Sequence, residues 1–185
     1  MTDDSLATRT ALPEDYRLIL ADHPRDGWDG HPAFHGLAAF WLDRHLGFRR
    51  VLDLLQADAR GLIDRSLDPT DYGRRLVRLG SGLLSDLIGH HQIEDEVYFP
   101  QLAALEPRIH RGFDMLDADH HALHDMIDRF ANGANGVLAL ANDEARREAG
   151  ARFQADLTDF ARLLARHLDD EEDLVVPVVL KHRVR

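Results

Sequence analysis

Residues 90–100 read HHQIEDEVYFP, and residues 167–177 read HLDDEEDLVVP. Each stretch opens with histidine, carries glutamate four residues later (Glu94, Glu171), and runs through further acids and an apolar run to proline. On a helix, residues four apart share one face and lie about 6 Å from each other. An imidazole and a carboxylate so placed can grip one metal ion or reach toward a second. The repetition predicts two metal-binding helices related by an internal duplication.

The elements that must position these pairs follow from periodicity. Residues 1–30 carry Pro13, Pro24, Gly27 and Gly30 without a sustained period and read as an N-terminal arm, with Trp28 as a residue that could pin it. His31-Pro32 reads as a helix start. From there Phe34, Ala38, Trp41, His45, Phe48, Leu52, Leu55, Ala59 and Leu62 advance in steps of three and four, the mark of a helix seam. Asp68-Pro69 opens a second helix, with seam Leu76, Gly80, Leu83, Leu87, His90, Glu94 and Val97, closed by Glu106-Pro107. The third seam is Phe113, Leu116, His120, His124, Ile127, Ala131, Ala134 and Leu138. Its Asn-Gly pairs at 132–133 and 135–136 predict an early break or kink. Asn142 or Asp143 caps the fourth helix, with seam Phe153, Leu157, Phe160, Leu164, His167, Glu171, Leu174 and Val178. Pro100 and Pro177 are expected to kink or end their helices. No segment alternates with period two. The fold expected is all-α: an antiparallel up-down-up-down four-helix bundle over residues 31–185, preceded by the arm.

Seven polar residues, His45, His90, Glu94, His120, His124, His167 and Glu171, occupy seam positions that would otherwise hold leucine. Their level agrees as well as their face. His45 lies 22 residues before a turn near 67 and His90 lies 23 after it; His120 lies 22 before a turn near 142 and His167 lies 25 after it. At about 1.5 Å rise per residue, four helices bring histidine to one layer. Such groups in an apolar interior cost several kcal/mol each unless bonded or coordinated, and metal is the simplest remedy. Five imidazoles and two bridging carboxylates, with one shared oxide or hydroxide, leave one position of two octahedra open. An open position is what a site for a small ligand requires. Donors without thiolate suit iron or manganese better than zinc, which usually settles for four ligands.

Composition narrows the function classes. The 185 residues suffice for one domain with a real core, and the net charge of -11 disfavours nucleic acid and anionic membranes as partners. With no cysteine, disulfides, thiolate zinc sites and iron–sulfur clusters are excluded. The opening MTDDSLATRT shows no basic run followed by an apolar one, so a secretory leader is not expected, and no stretch approaches a membrane span. A cytoplasmic monomer or homodimer is expected. Histidine is the unusual count, at 12.

His45 with the H-x-x-x-E at 90–94, the H-x-x-x-H at 120–124 and the H-x-x-x-E at 167–171 resembles the hemerythrin-like (HHE cation-binding) domain family, over about residues 31–180. The resemblance implies a non-haem di-iron centre that binds dioxygen reversibly; bacterial members are implicated in sensing or handling oxygen, nitric oxide, peroxide or iron. By position, one iron takes His120, His124 and His167, the other takes His45 and His90 and keeps the open site, and Glu94 and Glu171 bridge. In the oxygen carriers the last carboxylate is an aspartate five residues after its histidine. Here Glu172 stands at that place, but Glu171 is on the seam and is chosen.

His91 and His121 sit about 100° off the seam and read as outer or surface groups, although a slight turn of the third helix would put His121 where His120 is expected. His35 lies too far along its helix, about 15 Å earlier than His45. His23, His110 and His182 read as surface, and Val175–Leu180 as core or a self-association patch. Tyr98 reads as packing. Taken alone, each His/Glu pair with the acids around it could be a solvated helix face; repetition and agreement in level favour the ligand reading. The leading expectation is a binding module for a small diatomic ligand rather than an enzyme. An enzyme turning over peroxide or nitric oxide at the same centre is the alternative, and a metal-free helical interaction module is a further one. A ferritin-like oxidase is disfavoured because the chain has no Glu-x-x-His.

Overall fold

The computed structural model describes residues 4–184. Met1–Asp3, which begin both the expected arm and the stretch read for a leader, and Arg185, which ends the expected bundle, lie outside the described residues. Among the described residues six α-helices follow in order: α1 (Leu18–Asp22), α2 (Leu37–Ile63), α3 (Pro69–Ile93), α4 (Phe99–Leu105), α5 (His110–Leu138) and α6 (Asp143–His182). A single π-helical turn, Glu94–Tyr98, joins α3 to α4. Among the described residues no strand is present, and no helix is long and apolar enough to cross a membrane.

Local chemistry accounts for the starts of three of the long helices, α2, α3 and α6. The Asp68 carboxylate accepts from the backbone N–H of Thr70 (2.8 Å) and of Asp71 (3.2 Å), ahead of Pro69 as first residue of α3. Asn142 caps α6 by accepting from the Ala145 N–H at 3.0 Å, which decides between the two expected caps. The first long helix starts later than His31-Pro32 suggests. Gly36 sits at φ +94°, a left-handed conformation that cannot continue a helix, and α2 begins one residue after it.

Two expected breaks do not occur. α5 runs unbroken through both Asn-Gly pairs to Leu138. At Gly133 a Cβ would stand 2.7 Å from the Phe153 ring, so this glycine serves close packing rather than a turn. α6 continues past Pro177 to His182. Val175, Val176, Val178, Val179 and Leu180 are all buried there, and their packing outweighs the one backbone bond that proline removes. Pro100 falls on the second residue of α4, a tolerated place.

The chain forms two compact units. One comprises the described residues of Met1–Leu46, His90–Ala122 and Leu163–Arg185; the other comprises Gly47–Gly89 and Leu123–Arg162. Helices α2, α3, α5 and α6 each contribute residues to both units, and the regular structure of the described residues is all helical, as expected of an all-α bundle. The second unit is closed by Leu55, Leu62, Leu76, Phe153 and Phe160, with Phe130 ring-to-ring against Phe153 at 5.1 Å. In the first, the arm belongs to the core: Leu12, Tyr16, Ile19 and Trp28 are buried in one cluster with Phe113 and Val175–Leu180. That cover also buries Asp170 and Glu172, which periodicity alone would leave in water.

Candidate metal centre

Every residue of the centre lies in the first unit. α2 supplies His45, with Trp41 one turn before it; the last turn of α3 supplies His90 and His91; the π-turn supplies Glu94 and Asp95. α5 supplies Asp119 and His120, and α6 supplies His167, Glu171 and Glu172. Adjacent residues on α3 both face inward because a bundled helix has two inward neighbours. His90 meets α2, with its Nε2 3.1 Å from His45 Nε2, while His91 stacks on His120 of α5. After Glu94 the wider turn advances the buried ladder by five residues, so Phe99 is buried and Val97 is 39% exposed. The Phe99 ring then lies over His120, with centroids 5.4 Å apart.

The donor atoms fall into two sets, each with all its atoms within 4.8 Å of one another: His91, His120 and His167 in one, and His45, His90, Glu94 and Glu171 in the other. The two glutamates join the sets. Glu94 turns Oε1 to His90 Nε2 (2.9 Å) and Oε2 to His120 Nε2 (3.6 Å). Glu171 turns Oε1 to His45 Nε2 (3.5 Å) and Oε2 to His167 Nε2 (3.4 Å). These contacts are close without being hydrogen bonds where it matters most: both Glu94 oxygens, Glu171 Oε2, His120 Nε2 and His167 Nε2 are buried with no hydrogen-bond partner. Each such group costs about 1–3 kcal/mol if left so. Five of them converging on one space fit cations and little else.

The outward nitrogens of three imidazoles are held by carboxylates. His45 donates from Nδ1 to Glu172 (3.0 Å), His120 to Asp95 (2.7 Å) and His167 to Asp119 (3.3 Å). A carboxylate behind each of these three imidazoles fixes its ring and tautomer and leaves Nε2 facing the cluster. Trp41 donates its indole N–H to Glu171 Oε1, and its ring lies 6.0 Å from that of His90.

Without cations, protons balance the charge. Burial lowers His45 and His167, but carboxylates outweigh it: Glu171 and Glu172 raise His45, and Asp119 and Glu171 raise His167 to about 9. Burial takes His90 down to about 3 and holds His91 well below its usual range. His120 is lowered by burial despite Asp95. Burial and the neighbouring Glu171 push Glu94 well above the carboxylate range, whereas burial of Glu171 is outweighed by His45 and His167, which hold it well below.

Of the seven residues chosen from the sequence, the structure brings together His45, His90, Glu94, His120, His167 and Glu171. His124 is not among them: it is exposed and belongs to the other unit. The buried ladder of α5 runs Phe113, Leu116, His120, Leu123, Ile127, Phe130, stepping by three after His120 where a step of four was expected. His91 completes the set in its stead, and no single-seam reading selects it. His121 is exposed, donating to the Asp117 carbonyl. Glu172 stands behind His45 rather than in the cluster, and Asp95 and Asp119 were likewise missed as buttresses.

A helical bundle with buried imidazoles and carboxylates gathered at one layer defines a cation-binding class of protein. The model of the hemerythrin HHE cation binding domain matches residues 37–179, and the chain belongs to that family. No curated protein and no solved structure matches it.

Proposed function

We propose that this chain is a non-haem di-iron protein that binds dioxygen, or a related small ligand such as nitric oxide or peroxide, in an oxygen-, redox- or iron-sensing or handling role. One ion would be held by His91, His120 and His167, the other by His45 and His90, with Glu94 and Glu171 shared. The observation that carries this reading is the pair of glutamates, each presenting one oxygen to each imidazole set. A single ion would not need both faces of both carboxylates. Imidazole and carboxylate donors without thiolate favour iron, then manganese, over zinc.

A bound iron pair supplies two oxidation states and an open position. The protein's part is to make that position selective. The His45–His90 side has one imidazole fewer, so an ion there would have one coordination position left for a small ligand. Trp41 walls this side and keeps water out while its N–H holds Glu171. Buttressed imidazoles cannot swing away when the charge on the centre changes.

The test is an anaerobic iron(II) titration of the full chain followed by an optical spectrum on exposure to air. Two equivalents and a ligand-to-metal charge-transfer band are expected. Less than half an equivalent of any transition metal would overturn the reading in favour of a metal-free bundle. Turnover of peroxide or nitric oxide far above that of free iron would move it to an enzyme.

A further inference from the structure

The arm carries two arginines that reach the outer carboxylates of the centre, one on each side. Arg9 is buried, with its side chain 3% exposed. It grips Asp119 with both terminal nitrogens, Nη2 on Oδ2 and Nη1 on Oδ1 (3.2 Å). Its Nε donates to Asp170 (2.7 Å) and its Nη1 to the Asp4 carbonyl (2.6 Å). Asp119 Oδ2 is the same oxygen that faces His167 Nδ1. Arg25 reaches the carboxylate behind His45 by a single bond: Nη1 donates to Glu172 Oε2 (2.8 Å), while Nε donates to Asp173 (2.6 Å) and Nη2 to the Asp169 carbonyl (2.9 Å). The remaining oxygen of Glu172 accepts a hydrogen bond from His45 Nδ1. Both arginines lie outside the 37–179 span of the family model.

Stability alone gives a poor account of these contacts. Leu12, Tyr16, Ile19 and Trp28 already dock the arm by apolar burial. Burying a guanidinium against Asp119 and Asp170, which are 4% and 0% exposed, takes charges out of water and is at best a small gain over an apolar contact. What the planar fork of Arg9 adds is orientation: two parallel bonds fix the plane of the Asp119 carboxylate as a single contact cannot. Arg25 tethers Glu172 by one bond and is itself seated on Asp173 and the Asp169 carbonyl.

We propose that the arm is a positioning strap for the metal centre, in which Arg9 through Asp119 and Arg25 through Glu172 fix His167 and His45, one imidazole in each donor set. The inference rests on the two-metal reading above. Both arginines are positioning residues, since neither touches the cluster itself.

Cobalt(II) tests the strap without relying on activity, because its visible bands report ligand geometry. The full chain is titrated anaerobically with cobalt(II), with and without a competing chelator, as wild type, Arg9→Gln, Arg9→Lys and Arg25→Gln. Arg9→Gln is expected to weaken one of two equivalents about 10–100-fold and to shift its bands, Arg25→Gln to do so for the other, and Arg9→Lys to restore the affinity only in part. Folded variants that keep both equivalents at wild-type affinity with unchanged bands would overturn the proposal. Should Arg9→Gln fail to fold, Arg25→Gln decides, because its side chain is 44% exposed and its loss is tolerable. Wild-type chain that takes up no cobalt overturns the two-metal reading itself, and the strap with it.

Discussion

The imidazoles of His91 and His120 lie stacked, with ring centroids 4.0 Å apart and planes 12° from parallel. Each also meets His167 edge-on, at 5.5 and 4.8 Å. Three buried rings from three helices thus form one donor set, and its third member comes from α3 rather than from a second histidine on α5.

This arrangement sets the consequence of removing each candidate. His91→Ala should leave the chain with close to one tightly held metal equivalent. His124→Ala should retain both, since that side chain is exposed and outside the set. Metal analysis after desalting reads the difference, and the reverse pattern would return His124 to the site.

Glu94 is buried without a hydrogen bond and near a second carboxylate, so it serves the metal-loaded state at the expense of the metal-free one. Glu94→Gln should leave the metal-free protein as stable as wild type, or more so. It should largely abolish the rise in melting temperature on loading, because one bridge between the sets is gone. Paired thermal melts with and without metal check this; an unchanged rise would remove Glu94 from the centre.

Loading at neutral pH should release protons. The folded metal-free state holds a proton on His167, raised to about 9 by Asp119 and Glu171 against the effect of burial, and burial with Glu171 beside it shifts Glu94 toward its protonated form. An ion must displace these protons, so apparent affinity should climb with pH and level off above about 9. The sign reverses for the stability of the metal-free protein. The share owed to His167 is complete below its unfolded value of about 6.5 and fades as pH rises through about 9. Calorimetry in buffers of different ionisation enthalpy counts the protons, and a pH-independent affinity between 6 and 9 would contradict this protonation scheme.

The second unit offers a control away from the chemistry. Phe153 is buried against Phe130 and against the bare backbone of Gly133. Phe153→Ala should cost about 3–5 kcal/mol in urea unfolding. Metal stoichiometry should stay as in wild type at low temperature, because no donor residue lies in that unit. Loss of metal from a still-folded variant would show that the centre depends on this core.

From the order of residues alone, the helical class, four long helices and six members of the cluster could be read, and the reason is that helical periodicity is local. His45, His90, Glu94, His120, His167 and Glu171 announce themselves by standing at three- and four-residue intervals among leucines and phenylalanines. The caps at Asp68 and Asn142 and the start at Pro69 are local in the same sense. Tertiary structure decided what periodicity cannot carry. The π-turn shifts the phase by a residue, which buries Phe99 in place of Val97. A bundled helix faces two neighbours rather than one, so His91 turns inward beside His90. The acids that look solvated in a row of letters, Asp170 and Glu172 among them, are covered by an arm more than 140 residues away in the chain, whose arginines meet them there. Contacts between such distant segments leave no spacing signal in the sequence, because nothing but the folded chain sets the distance between them.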